Sequence, residues 1–189
     1  MRRSRVEAAE SRKKVVRAAA ALLRDRGVDG VNVADVMAAA GMTPGGFYKH
    51  FEDKDALVAE AFDTASDESF HTLCAVGEKA AKGKNFEAIV SAYLSQEHWA
   101  NPAHGCPLAA TATDAARQGK GFRLAFDACL ERMCDLMVEA AARDRRPMKR
   151  QDALATVALL VGTVALARAT KDPKAASDLL RAARARLIR

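Results

Sequence analysis

Apolar residues recur at intervals of three and four along most of the chain, and no run of alternating β-branched residues argues for strands. The sharpest instance lies between Asn32 and Phe51. Val33, Val36, Met37 and Ala40 stand at i, i+3, i+4 and i+7, which puts four apolar side chains on one face of a short helix, and Asn32 ahead of them is a natural N-cap. Gly41 can take positive φ where that helix ends, and Thr43 and Pro44 then serve as N-cap and first residue of a second helix. In this second helix Phe47 and Phe51, four apart, face inward and leave Gly45, Gly46, Tyr48, Lys49 and His50 free to touch a partner. Two short helices joined by a tight, glycine-containing turn are a device for reading DNA.

The same periodicity organises the flanks. Residues 11–26 read as a helix with Val15, Val16, Ala19, Leu22 and Leu23 inward, Arg12, Lys13, Arg17 and Arg24 outward, and Gly27 as its stop. Asp53 caps a helix with Leu57, Ala61, Phe62 and Ala65 along one side. After a polar link from Gly77 to Asn85, residues 86–99 read as one helix, and Asn-Pro-Ala-His-Gly-Cys-Pro breaks the chain before a helix opened by Pro107. From Gly121 a stripe of Phe122, Phe126, Cys129, Met133, Leu136, Met137 and Ala140 follows helical spacing, as the wall of a core or a pocket. No charge falls between Ala153 and Ala167, a run shorter than the about 20 residues of a membrane span and interrupted by Thr156, Gly162 and Thr163. A helix apolar on all sides must be buried on all sides, which predicts packing against a second copy of the chain. With the helix after Asp172-Pro173, it forms a two-fold four-helix interface whose candidate residues are Leu159, Val161, Gly162 and Leu180.

Composition agrees with an all-α chain, and charge adds partners. The net charge of +6 is uneven: residues 1–26 hold nine Lys/Arg against three Asp/Glu, residues 52–142 hold eight against fifteen, and residues 143–189 hold twelve against four. Arg2, Arg3 and Arg5 lie in a segment too polar to pack, so residues 1–10 read as a flexible basic arm that follows DNA phosphates or a minor groove. The Val-Glu-Ala-Ala-Glu that follows is not the apolar segment of a signal peptide, which predicts a cytoplasmic protein with reduced cysteines. No cofactor, metal or membrane partner is expected.

Gly27, Gly41, Thr43, Gly45, Tyr48, Phe51, Lys54 and Leu57 stand together in a pattern that resembles the TetR family of bacterial transcriptional regulators. The resemblance is close over the first third of the chain. It implies an all-α homodimer: an N-terminal three-helix DNA-binding domain (residues 11–52, motif 32–51), then a larger helical domain (residues 53–189) for effector binding and dimerisation. It also implies a repressor that leaves a palindromic operator in double-stranded DNA when a small-molecule effector binds. Within the matching residues, Thr43, Tyr48, His50 and Lys54 are expected on phosphates with help from Asn32, and Lys49 and the backbone at Gly45-Gly46 on base edges. Thr43 or Met42 can reach a thymine methyl. Two positions depart from the pattern: Val31 stands where many members carry Thr or Ser, which removes one phosphate contact, and Gly46 where many carry Ser or Thr.

Two other functions fit a helical scaffold, a cysteine- or histidine-dependent enzyme and a non-specific DNA-coating protein. Gly-x-Ser-x-Gly, a phosphate-binding glycine loop and His-Glu-x-x-His are all missing, which speaks against an enzyme, and an acidic C-terminal domain speaks against mere coating. Cys106 is expected at the N-cap of the helix opened by Pro107, either as a buried, inert cysteine in a structural turn or as a reactive thiol, since backbone amides there favour the thiolate and His104 can add to the effect. An apolar effector, or an electrophilic one if the thiol is reactive, is expected in a pocket formed by His98, Trp99, Cys106, Phe122, Phe126 and Met133.

Overall fold

Side-chain caps and glycines set several of the helix boundaries. Asn32 Oδ1 accepts the amide of Ala34 at 2.8 Å, Asp53 Oδ1 that of Ala56 at 2.8 Å, and Asp172 Oδ1 that of Lys174 at 2.9 Å. Gly27 and Gly41 adopt φ of +73° and +72° where helices end. The computed structural model describes residues 5–188, and every regular element among them is helical. In order they are α1 (Arg5–Arg26), α2 (Val33–Ala39), a 3-10 helix (Pro44–Lys49), α3 (Lys54–Lys79), α4 (Asn85–Tyr93), α5 (Gln96–Ala100), a 3-10 turn (Pro102–His104), α6 (Pro107–Ala115), α7 (Lys120–Arg143), α8 (Arg150–Ala169) and α9 (Pro173–Leu187).

The long α3 belongs to both halves of the molecule, packing on α1 at one side and on α4 and α7 at the other. The N-terminal core is Val16, Leu23, Val36, Met37, Phe47 and Phe51, with Val31 fully buried among them. Val31 thus holds the α1–α2 link to the core, where a polar residue would be stranded. In the C-terminal half Phe62 of α3 meets Phe122 and Phe126 of α7 at ring distances of 4.9 and 6.0 Å.

The structure differs from the sequence reading in several places. Helix α1 starts at Arg5, not at residue 11, because Val-Glu-Ala-Ala-Glu has the propensity to continue the helix in solvent, with Glu7 in the first turn where the dipole favours it. Arg2 and Arg3 of the expected arm lie outside the described residues. Residues 86–99 are two helices, since Ser95 Oγ accepts the His98 amide at 3.0 Å and starts α5. Arg24, expected on the outside, is 4% exposed, because Glu68 and two carbonyls match its charge and donors.

A further difference concerns the last two helices. One face of α8 (Ala153, Val157, Leu160, Val164 and Ala167) is fully buried within the chain's own core, while Leu154 and Leu166 are 41% and 60% exposed. Leu180 of α9 is buried against this same core, not held free for a partner. By length and mean hydropathy, 20 residues at 1.6, α8 is apolar enough to span a membrane, but the buried stripe is that of a core helix.

Candidate functional site

The reading segment is presented by packing beneath it. Phe47 is 1% exposed and stacks on Phe51, with ring centroids 5.6 Å apart, while Tyr48 on the opposite side is 79% exposed. Arg12 of α1 braces the far end: its guanidinium lies 4.6 Å over the Phe51 ring, pairs with Glu60 and donates to the His50 carbonyl. The hydroxyl of Thr43 makes no capping bond, so it remains available at the segment's start. Asn32 uses its oxygen to cap α2, which leaves its amide nitrogen as the donor. Lys49, Gly45 and Thr43 are exposed, and Met42, Gly46, His50 and Lys54 half-buried, in one continuous stretch. The segment is a 3-10 helix, not the α-helix expected, with two glycines of low helix propensity in its first turn.

Behind this face a seam joins the DNA-reading half to the rest. Arg24 Nε donates to the Ala103 carbonyl at 2.6 Å, and its Nη1 to Glu68 Oε2 at 2.8 Å. At the end of α1, Asp114 Oδ2 of α6 accepts the Val28 amide at 3.1 Å. Gly27 is required there twice over: its φ is positive, and a Cβ would lie 2.7 Å from that same oxygen.

A cavity of about 550 Å³ opens behind the seam, between α3, which contributes Ser69, Thr72, Leu73 and Val76, and the stretch from Ala92 to His104. Of the expected pocket residues only His98 borders it. His98 Nδ1 bonds the Tyr93 carbonyl at 2.6 Å and its Nε2 accepts the Cys106 amide at 2.9 Å, which fixes the neutral tautomer. Burial is the main cause that lowers its pKa to about 4. Cys106 and Met133 border a separate small space of about 20 Å³. Trp99 is engaged elsewhere, donating its indole N–H to the Ala167 carbonyl at 2.7 Å, and Phe122 and Phe126 are occupied by Phe62.

Of the two readings of Cys106, the structure favours the buried, inert cysteine. It does stand at the N-cap of α6, and the Leu108 and Ala109 amides favour its thiolate, but complete burial outweighs them and pushes the thiol up. His104 is exposed, and the imidazole that meets the Cys106 backbone belongs to His98.

A profile described as bacterial regulatory proteins, tetR family, matches residues 15–61, which span α1, the reading segment and the start of α3. A solved TetR transcriptional regulator from Chloroflexus aurantiacus is similar over the whole fold, with a TM-score of 0.75 at 25% identity, covering 96% of this chain and 94% of that one. The N-terminal region of the chain is that of the TetR family, and its whole fold is that of a TetR regulator. An uncharacterised HTH-type transcriptional regulator of Mycobacterium tuberculosis is 28% identical over 169 residues, 85% of this chain and 86% of that protein. The structure of AibR in complex with isovaleryl coenzyme A and operator DNA shares the fold, with a TM-score of 0.64 at 18% identity over 94% of this chain and 97% of that one.

A chain with this fold and this reading face is a DNA-binding transcriptional regulator. Three of its structural contributors escaped the sequence reading: Arg24, Asp114 and Tyr93. An arginine among apolar positions of α1 was the one local signal for the first, whereas Asp114 and Tyr93 act through partners 86 and 5 residues away.

Proposed function

We propose that this chain is an effector-responsive repressor that binds a palindromic operator as a homodimer and leaves it when a small molecule occupies the cavity beside His98. One observation carries the reading: His98, Asn101 and His104 border the cavity, and between the last two the Ala103 carbonyl receives Arg24 of α1. A ligand that shifts this stretch moves α1, and α6 passes a second displacement through Asp114 to Val28. AibR, which bound an acyl-coenzyme A and operator DNA, is a precedent on the same fold.

On the DNA side, Thr43, Tyr48, His50, Lys54 and the Asn32 amide are assigned to phosphates, and Lys49, Met42 and the Gly45-Gly46 backbone to the groove. The partner copy docks on the outer face of α8. There Leu154 and Leu166 are exposed, and a Cβ added at Gly162 would meet nothing within 4 Å. Leu159 and Val161 are only half-buried beside them. Closure across this face sets the two reading segments about 34–36 Å apart, one turn of DNA, or slightly more.

Sequencing the DNA that the purified protein retains tests the reading. A palindrome with half-sites about one turn apart is expected. Leu166→Arg and Leu154→Arg should each give monomers with weak operator binding. Retained DNA without two-fold symmetry, or soluble dimers from both variants, contradicts the proposal.

A further inference from the structure

The lining of the cavity beside His98 narrows the chemistry of what it holds. Leu73, Val76 and Ala92 make it apolar, no lysine or arginine among the described residues lines it, and its carboxylate, Glu97, is exposed. His98 has no ring nitrogen to offer, since the Tyr93 carbonyl and the Cys106 amide take both. An anion would meet a carboxylate, while Arg168, which acts on Tyr93 and His98 from outside the lining, is held there by the His98 and Trp99 carbonyls with one buried N–H group, at Nη1, left without a partner. A cation would find only Glu97, whose attraction water screens.

One polar group in this wall lacks a match. Tyr93 is 1% exposed and borders the cavity, and its hydroxyl has no hydrogen-bond partner. The Cys106 thiol lies near enough to interact with it, but not in a hydrogen bond of regular geometry. Burial pushes the ionisation of the phenol well up, so the hydroxyl remains a neutral donor. Buried hydroxyls without partners are rare, because the water given up is not replaced. The Tyr93 hydroxyl is itself closed off from the cavity, and Ser69 and Leu73, which border both the cavity and the 20 Å³ space next to Cys106, form the partition that a ligand oxygen has to displace to reach it.

We propose that the cavity takes an uncharged, largely apolar molecule carrying a carbonyl oxygen, and that the Tyr93 hydroxyl donates to that oxygen. This deepens the regulator reading and rests on it. Isovaleryl coenzyme A, the ligand bound by AibR, carries phosphate charges that this lining does not match.

The test uses four probes of similar size: benzylacetone, an uncharged ketone; butylbenzene, uncharged without an acceptor; hydrocinnamate, an anion; and phenylpropylamine, a cation. Trp99, the chain's one tryptophan and the neighbour of His98, reports binding by its fluorescence. Benzylacetone should bind about tenfold more tightly than the other three. Tyr93→Phe should weaken benzylacetone about five- to tenfold while leaving butylbenzene unchanged. Val76→Phe, which fills the cavity, should weaken benzylacetone and butylbenzene alike. Tighter binding of hydrocinnamate, phenylpropylamine or isovaleryl coenzyme A, an unchanged affinity in folded Tyr93→Phe, or no binding of any probe overturns the ligand class. Operator retention is measured in the same samples. Benzylacetone bound as expected without DNA release supports the ligand class and counts against the regulator reading, so the two can fail separately.

Discussion

Two glycine pairs in the N-terminal half sit in opposite surroundings. In the α1–α2 link, a Cβ on Gly30 would lie 2.6 Å from the Arg26 carbonyl oxygen and 2.3 Å from the Arg26 Cβ, and one on Gly27 would crowd Asp114. In the reading segment, a Cβ on Gly45 would meet nothing within 4 Å, and one on Gly46 only Met37 Cε at 3.4 Å. The first pair is explained inside the molecule, by lack of room. The second has no such explanation, although each glycine forgoes on the order of 0.5–1 kcal/mol of helix stability relative to alanine. A local rule broken where the chain is bare points outward, to a duplex that must come closer than a side chain permits.

The largest effect should come from the crowded pair. Gly30→Ala drives a side chain into backbone that cannot swing away, and should destabilise the protein by about 3 kcal/mol, roughly 10 °C in Tm. A melt within 2 °C of wild type would mean that the link relaxes and the contrast is false. Gly45→Ala should leave the melt unchanged or raise it slightly.

The crowding extends to the stretch around His98, and acid should expose it. The ring titrates at about 4 in the folded chain against an ordinary 6.5, so the unfolded chain takes up the proton first as pH falls. Stability due to neutral His98 is whole above pH 6.5 and is lost as pH falls through the folded pKa, up to about 3 kcal/mol. Urea unfolding between pH 7 and 4 measures it, and His98→Gln should flatten that part of the slope. Arg24→Met is expected to cost less, about 2 kcal/mol, since Glu68 is left in reach of solvent and only the Ala103 and Ala65 carbonyls lose a buried donor. It should also uncouple effector binding from DNA release, read as operator retained at saturating effector.

Much of this was legible in the sequence where the signal is local. The caps at Asn32 and Asp53, the stop at Gly41 and the inward Phe47 and Phe51 follow from spacings of three or four residues and from the shapes glycine and proline permit. Periodicity also found the α7 stripe, but could not tell core from pocket, because Phe122 and Phe126 face Phe62, some sixty residues away. Cys106 illustrates a different limit. Its N-cap position was readable, whereas its full burial depends on α3, α6 and α7 meeting around it, and burial decides the sign of its shift. Arg24 was misread for the same reason, since its match, Glu68, is 44 residues on.

The claim that the bare glycines serve DNA is tested most directly by measuring stability and operator affinity on the same preparations of Gly45→Ala and Gly46→Ala. Folding should be unchanged or firmer by up to about 1 kcal/mol, while operator affinity falls about tenfold or more. Operator affinity equal to wild type in both folded variants would contradict the account, because the reading segment would then have no need of the space those two residues keep open.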